Sequence, residues 1–457
     1  MEGLEITIQN YNELEKIIDY RIEAEYFDKR FLRIDKIFEN QKYVTFFDIA
    51  DYENGRAYSS DEFYEGEGGV KVSKIGDVTQ KRPNENWFSV SEKEFIKQRG
   101  NYLVDSDILM TLTGDPPDVG KVNLFISNEL KSTWNQRVAR IFLKENQNIF
   151  LNHKVLYIIL STHYCREQLE RFAKGIRQRN LGTECIEQLK LPVLSDAIQL
   201  KTNSLVENSI ENLTKSQTHY RQAEELLLET IGLKDFTPSQ EKTNIKTLKK
   251  SFLSTGRLDA EYYQSKYEEI ENKIKSQPHT FVVDVFNLNE NLIDYKSSKY
   301  NYIEIGDVNV GSGAYSYNLI ETSELPANAK IQSKRGDLLI SKVRPNRGAI
   351  SIIQGEITDL VVSGAFTVLE EKADYKKETL FILLRTKQYR EWMLKYNVGT
   401  SYPVIKDEDI LNLPIPIINL PTQQQISALI QESFALRKES ERLLSEAKEM
   451  VEREIEM

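Results

Sequence analysis

The chain has 457 residues, with 60 Lys and Arg against 70 Asp and Glu, a net charge of −10. That length suggests two or three domains, and 40% apolar with 10% aromatic residues excludes a disordered chain. Two cysteines exclude a disulfide framework and fit a reducing cytosol; no apolar run approaches bilayer-spanning length, Val155 to Leu160 being the strongest.

The N-terminal segment, residues 1–20, is acidic and carries no basic stretch before an apolar run, so no secretory signal is expected. From residue 21 the sequence repeats itself with a period of about 230 residues, too long for a solenoid, so each copy is expected to be a full domain. Arg21 to Phe27 (RIEAEYF) returns as Arg257 to Tyr263 (RLDAEYY), and Ile75-Gly76-Asp77-Val78 as Ile305-Gly306-Asp307-Val308. Asp107 to Thr111 returns as Asp337 to Ser341, and Gly120 as Gly348. Arg166-Glu167 matches Arg390-Glu391, and Gly175 matches Gly399. Ile186, Leu189, Pro192 and Val193 match Ile410, Leu413, Pro416 and Ile417. The copies differ over Thr113 to Asp118 against Val343 to Arg347, and over Ile176 to Asn180 against Thr400 to Val404. A shared scaffold with divergent loops is expected of two modules that bind different targets.

Each module, residues 21–195 and 250–418, reads as mixed α and β. Asp107 to Thr111 and Asp337 to Val343 are expected strands; Leu156 to Phe172 and Phe381 to Tyr396 are expected helices, stopped by Gly175 and Gly399. A spacer helix follows each module, over residues 196–233 and 419–457. Asp196 with Gln199 and Thr422 with Gln425 give capping-box spacing. Ile426, Leu429, Ser433, Leu436, Ser440, Leu443, Ala447 and Met450 form a heptad seam. Leu205, Ser209, Ser216 and Ala223, beside Val206, Leu213, Tyr220 and Leu227, form its counterpart. Small residues on both seams predict close antiparallel packing of the two helices within one chain. A helix of about 34 residues is roughly 50 Å long, more than the rise of one duplex turn. The fold class expected is α+β: two tandem mixed α/β domains, separated and followed by long helices forming an antiparallel coiled coil.

An enzymatic reading finds no residues to carry it. His153, His163, His219 and His279 are scattered without metal-ligand spacing, and no Walker lysine loop is present. Gly311-Ser312-Gly313 lacks the third glycine of a phosphate loop and reads as a turn. Asp115-Pro116-Pro117-Asp118 resembles the Asp-Pro-Pro-Tyr motif of adenine amino-methyltransferases. Its fourth residue is not aromatic and no Gly-rich cofactor loop precedes it, so it too reads as a rigid turn. Basic residues cluster locally at Arg171, Lys174, Arg177 and Arg179, and at Lys334, Arg335, Lys342, Arg344 and Arg347. Taken singly, each cluster reads as ordinary solvated surface.

Two modules of the Ile-Gly-Asp-Val and Gly-Asp-Leu-Leu-Ile-Ser type, each ending in Gly…Ile-x-x-Leu-x-[Leu/Ile]-Pro-[Val/Ile] and a long helix, resemble the specificity subunit of type I restriction-modification systems over essentially the whole chain. Gly399 to Ile417 and Arg335 to Ile350 carry the resemblance most specifically; the first copy departs more, with a basic Gly175-Ile-Arg-Gln-Arg-Asn and no counterpart of Pro414. The resemblance implies two target recognition domains, each reading one half of a split, asymmetric double-stranded DNA site. It implies docking, through the helices, of two modification subunits that carry S-adenosylmethionine and methylate adenine, joined by restriction subunits that use ATP and Mg. No cofactor or catalytic residue would reside in this chain. Arg, Lys, Asn and Gln read base edges in pairs. Candidate DNA contacts are therefore Arg344, Asn346 and Arg347 in one divergent loop and Arg177, Gln178, Arg179 and Asn180 in another. Lys74, Thr113, Arg137, Ser401 and Tyr402 are further candidates. Three rival readings are a scaffold that binds no DNA, which the acidic balance favours, an enzyme whose site the sequence does not reveal, which activity of the isolated chain without partners would support, and a specificity subunit serving a methylase without a nuclease. DNA affinity falling steeply with salt separates the first of these from a DNA reader.

Overall fold

The computed structural model describes residues 7–8, 22–64, 68–82, 84–115, 118–175, 178–239, 241, 243–399 and 402–457. Of the N-terminal segment, only residues 7 and 8 are therefore described. The chain forms two compact units, Met1–Leu213 with Lys438–Met457, and Thr214–Arg437. The division falls inside both long helices, so each unit contains one repeat and a portion of each spacer.

The first unit has strands β1 (Tyr43–Thr45), β2 (Ala50–Asn54), β3 (Phe63–Tyr64), β4 (Val70–Ser73), β5 (Phe88–Val90), β6 (Ile108–Thr111), β7 (Thr113–Gly114), β8 (Val122–Leu124), β9 (Ser132–Trp134), β10 (Val138–Leu143), β11 (Arg179–Asn180) and β12 (Lys190–Pro192). Its longer helices are α1 (Lys29–Glu39), α2 (His153–Ser161), α3 (His163–Phe172) and the start of α4 (Asp196–Thr230). An inner antiparallel sheet runs β2-β10-β6-β8 and an outer one β3-β5-β4-β9, in which β4 and β9 are parallel. β1 pairs with β12, and β7 with β11.

The second unit has strands β13 (His279–Phe281), β14 (Phe286–Leu288), β15 (Lys299–Ile303), β16 (Asn318–Glu321), β17 (Ala329–Gln332), β18 (Leu338–Ser341), β19 (Ile350–Ile352), β20 (Leu360–Ser363), β21 (Phe366–Glu371) and β22 (Pro414–Pro416). Its longer helices are α5 (Ser265–Lys275), α6 (Lys377–Arg385), α7 (Lys387–Met393) and much of α8 (Leu420–Glu456). The same plan returns: an inner sheet β14-β21-β18-β19, an outer sheet β16-β15-β20-β17 with one parallel pair, and a β13–β22 ribbon. The repeat in the sequence is thus a repeat of architecture.

The residues that recur in sequence hold this plan together. Asp77 and Asp307 each accept the backbone N–H three residues earlier, Lys74 and Glu304, both at 2.9 Å. Asp107 and Asp337 do the same for Val104 at 2.7 Å and Lys334 at 3.0 Å. Burial pushes all four carboxyls above their ordinary range, while these bonds oppose the rise. The recurring Asp is a turn-former, with a structural task that spacing alone did not distinguish from a chemical one.

Each helix expected as one piece is broken in two. Thr162 and Thr386 leave the helical conformation with ψ of 154° and 150° and accept the N–H of Cys165 and Tyr389. A threonine cap supplies the N-terminal acceptor that a new helix needs, which is why α2 ends and α3 begins one residue apart.

The first core gathers Ile108, Met110, Leu156 and Ile159 with Val206 of α4 and Ala447 and Val451 of α8. The second gathers Leu338, Ile340, Phe381 and Trp392 with Ala223, Leu227, Ile426 and Ile430. Within each unit the two long helices lie antiparallel. In the first unit Ser209 Oγ meets Ser440 Oγ at 2.8 Å; in the second Ser216 Oγ meets Ser433 Oγ at 3.0 Å. On α8 the Ser and Ala positions of the expected seam are buried. Of the alternate large positions, Leu443 is buried as expected, whereas Leu429 and Met450 are only partly so and their neighbours Ile430 and Val451 are buried instead. A straight helix drifts against a strict heptad, and at 429–430 and 450–451 the sequence offers an apolar residue at both positions.

Neither capping box forms. Asn419 Oδ1 accepts the Thr422 N–H at 2.9 Å, and Gln425 is exposed. Gln199, expected at a cap, is buried, as is its repeat Gln423. Gln199 accepts Leu151 N–H at 2.8 Å and donates to Ile149 and Leu194 carbonyls; Gln423 accepts Lys376 N–H at 2.8 Å and donates to Asp374 and Ile418 carbonyls. These glutamines bolt each long helix to its module.

His153 opens α2, and its Nε2 accepts the Leu143 N–H at 3.1 Å, so the neutral ring is the bonded form. Burial holds its pKa below the ordinary 6.5, with Arg140 reinforcing and Asp107 opposing. The unfolded chain takes up this proton first, so the stability is present above about pH 6.5 and lost as pH falls through the depressed folded value. Lowering the pH from about 7.5 to about 5.5 is expected to lower the melting temperature, and His153→Gln, which keeps an acceptor that does not titrate, to flatten that dependence. An equal slope in the variant would place the titration elsewhere.

Candidate nucleic-acid interface

In the first unit, the two stretches where the repeats differ are brought side by side. β7 pairs with β11, Thr113 opposite Asn180 and Gly114 opposite Arg179, and Thr113 Oγ1 donates to Asn180 Oδ1 at 2.9 Å. The Leu112 carbonyl accepts Leu181 N–H at 2.8 Å, and Leu112 N–H donates to the Arg137 carbonyl at 2.9 Å. Thr113, Arg137, Gln178, Arg179 and Asn180 therefore share one edge, with Arg137, Gln178 and Asn180 exposed. Arg177 lies outside the described residues, as do Pro116 and Pro117 of the Asp-Pro-Pro-Asp turn. The Asp118 N–H donates to the Asp115 carbonyl, as a turn requires.

The second unit repeats this meeting of loops. Val343 bridges Val404, Arg344 N–H donates to the Pro403 carbonyl at 2.7 Å, and the Arg344 guanidinium lies 4.0 Å from the centre of the Tyr402 ring. Arg344 has φ 51° and ψ 54°, a left-handed conformation that non-glycine residues seldom take, at the start of the turn Pro345–Arg347. Asn346 and Arg347 are exposed on that turn, and Tyr402 is 55% exposed beside it. Ser401 lies outside the described residues.

Glycines permit both meetings. Just past α3, Lys174 bridges to Asn180, each donating its N–H to the other's carbonyl, and Val398 N–H donates to the Val404 carbonyl at 2.9 Å. A methyl group at Gly175 would lie 2.3 Å from the Gln178 carbonyl oxygen, and one at Gly399 1.9 Å from that of Tyr402. Gly120 and Gly348 carry φ of +72° and +74°, and the matched Arg166 and Arg390 side chains pack on them. Arg166 Nη1 also donates to the Val119 carbonyl at 2.8 Å. The recurring Gly–Arg pairs thus close the base of each divergent loop.

Much of the basic character read from the sequence is neutralised. Arg171 pairs with Asp35 at 2.6 Å, Lys334 with Glu370 at 2.9 Å, Lys342 with Asp407 at 2.9 Å, and Arg335 with Glu356 at 3.7 Å. Arg179 leans on Glu170 at 3.8 Å. Among the described residues no carboxylate pairs with Arg137 or Arg344, which leaves these two guanidinium groups with charge to offer. Lys74 is elsewhere: its ammonium sits 3.5 Å and 3.9 Å from the ring centres of Phe63 and Phe88 on the outer sheet. Burial lowers its pKa, and the two rings hold it by cation–π attraction. Gly311-Ser312-Gly313 is a tight turn, closed by Gly313 N–H to Asn309 carbonyl at 2.7 Å and packed on Phe381. Among the described residues no group of His, Cys, Asp and Glu could hold a metal, and no helix is long and apolar enough to cross a membrane.

Comparison with known proteins agrees with these features. Residues 39–219 and 280–446 match the family described as type I restriction modification DNA specificity domain. A stretch of 132 residues is 31% identical to the type I restriction enzyme HindI specificity subunit of Haemophilus influenzae, a match spanning 28% of this chain and 28% of that protein. Similar solved structures include a type I restriction-modification S subunit from M. genitalium, 14% identical with a TM-score of 0.39, covering 91% of this chain and 94% of that one. Another is the HsdS subunit from Thermoanaerobacter tengcongensis, 12% identical with a TM-score of 0.28, covering 91% of this chain and 96% of that one. The family match takes in both repeats and more than half of the residues, and on that ground the chain belongs to the non-catalytic DNA specificity family of type I restriction-modification systems.

Proposed function

We propose that this chain is the sequence-reading subunit of a type I restriction-modification complex. Each module, 21–195 and 250–418, reads one half of a bipartite, asymmetric double-stranded DNA site. The helices over 196–233 and 419–457 dock two modification subunits that carry S-adenosylmethionine and methylate adenine, and restriction subunits that use ATP and Mg join them. The observation that carries this reading is the meeting of loops: in both units one scaffold brings together the two stretches in which the repeats differ. A base-modification map of cells with and without the chain, its partners present, tests it. Loss of N6-methyladenine at one bipartite motif, and change of only one half when residues 21–195 are exchanged, is the expected result. An unchanged map with active partners would favour the scaffold that binds no DNA, the reading that the charge of −10 supports.

The bases are read by Arg344, Asn346, Arg347, Ser401 and Tyr402 in the second half, and by Thr113, Arg137, Arg177, Gln178, Arg179 and Asn180 in the first. Lys74, held over the stacked rings of Phe63 and Phe88, contacts phosphate. Arg344→Ala or Asn346→Ala is expected to weaken discrimination at one position of the second half by about 1–3 kcal/mol, and Arg137→Ala or Gln178→Ala to do so in the first. Competition binding against single-base variants of the mapped site measures this. Uniform weakening across all variants, with a shallower salt dependence, would reassign the residue to the phosphate backbone.

A further inference from the structure

We infer that Arg385 is a positioning residue for DNA reading by the second module, tying the long helix α4 to the base of the Arg344–Gly348 loop; this rests on the reading above. Arg385 is the last residue of α6 and is 7% exposed. Its guanidinium faces no carboxylate within ion-pair distance among the described residues; three backbone carbonyls and one phenol surround it. Nη1 donates to the Gly348 carbonyl at 2.8 Å and toward that of Ile350 at 3.4 Å. Nη2 donates to the Val310 carbonyl at 3.0 Å, in the tight turn that packs on Phe381, and Nε donates to the Tyr220 hydroxyl of α4 at 2.8 Å. One planar fork therefore fixes three backbone points and one helix.

The points it fixes matter for recognition. Gly348 ends the turn that carries Asn346 and Arg347, and Arg390 packs against the same glycine. Tyr220 and Glu224 stand one turn apart on α4, and Glu224 lies in the field of both arginines. A charged group is costly to bury, and neutral residues of the same volume would serve packing as well. Arginine here adds what packing does not: a fixed distance between the helix that the partners would grip and the loop that would touch bases. In the first module the matching position is Ser161, whose hydroxyl donates to the Tyr157 carbonyl of its own helix. Among the described residues the fork therefore belongs to the second module.

The test uses the full complex with its modification subunits and the bipartite site mapped for the wild type. Methylation rates are compared on the cognate site and on single-base variants of each half, for Arg385→Gln, Arg385→Lys and Tyr220→Phe. Arg385→Gln is expected to reduce discrimination in the second half roughly ten-fold while leaving the first half as it was. Tyr220→Phe, which removes one hydroxyl and keeps the ring, is expected to reduce it less in the same half, and Arg385→Lys to restore part of it. Equal loss in both halves, or a lower melting temperature with discrimination unchanged in Tyr220→Phe, would assign the fork to packing and overturn the inference. If Arg385→Gln does not fold, Tyr220→Phe decides. A wild-type complex that methylates no bipartite site would instead refute the proposed function, an outcome separate from these.

Discussion

Gly399→Ala is expected to erase sequence reading in the second half-site while leaving the first half intact. The added methyl group would lie 1.9 Å from the Tyr402 carbonyl oxygen, and that atom is backbone, unable to swing aside as a side chain could. Something must move, and everything nearby is coupled. Asn397 Oδ1 accepts both the Gly399 N–H at 2.8 Å and the Val404 N–H at 2.9 Å, so the turn is bound from within. Moving Tyr402 moves its neighbour Pro403, whose carbonyl holds the Arg344 backbone, and the ring on which the Arg344 guanidinium rests. Both loops of the second module then lose their relative position. With several of the proposed base contacts displaced together, discrimination in that half should fall on the order of 100-fold or more. The melting temperature should fall much less, because the turn lies outside the Phe381 and Trp392 core. Gly175→Ala should act alike on the first half, with strain added by its φ of +119°. Methylation assays on half-site variants measure both. Full discrimination in Gly399→Ala would show that this loop does not read DNA.

The glycines also mark how much of the site was legible in the sequence. The repeat singled out Gly175, Gly399, Gly120 and Gly348 as fixed points, and the stretches beside them as variable. Sequence could not say that the two variable stretches of one module touch, since residues 113 and 180 meet only through the β7–β11 pair. Nor could it sort the cations. Lys334, Arg335, Lys342 and Arg344 look alike in a list of basic residues. The first three meet Glu370, Glu356 and Asp407, all distant in sequence, while Arg344 meets an aromatic ring. Arg385 is inconspicuous in the sequence because it ends an apolar helix and stands two residues before Lys387, as an ordinary surface cation would. Its one sequence signal was a cation in a run, Leu380 to Leu384, that burial leaves no room to hydrate.

The fold was legible where periodicity carried it and less so at ends. Duplication, the long helices and their serine-bearing seam all follow from spacing. Thr162 and Thr386 split helices that hydropathy joins, because a cap is a local hydrogen-bonding event that no apolar pattern records. Gln199 was readable as a cap by spacing, yet tertiary burial gave it, like its repeat Gln423, partners in the module instead. A polar residue whose repeat copy sits at the same seam position is a stronger hint of such a bolt than capping-box spacing is.

The serine seam yields the other large effect. Ser216→Leu should destabilise the second unit by on the order of 3–5 kcal/mol, combining overpacking with the loss of buried hydrogen bonds. Ser216 Oγ donates to the Ser433 carbonyl at 2.8 Å and Ser433 Oγ to the Ser216 carbonyl at 2.8 Å, so the two helix backbones approach within one hydroxyl of each other. A leucine has no cavity to enter there, since Ser216 is fully buried and Ser433 nearly so. Either the helices separate, or Ala223, Leu227, Ile426 and Ile430 leave the core they share with the module. The paired change Ser216→Ala with Ser433→Ala should cost no more than about 1 kcal/mol, because it removes donors and leaves no hydroxyl stranded, while the carbonyls keep their bonds along each helix. Denaturant unfolding of the two variants separates size from hydrogen bonding. If the double alanine variant were as unstable as Ser216→Leu, the hydroxyl pairs would be the main bond between the helices. If leucine were tolerated, the backbones would not be in close approach at all.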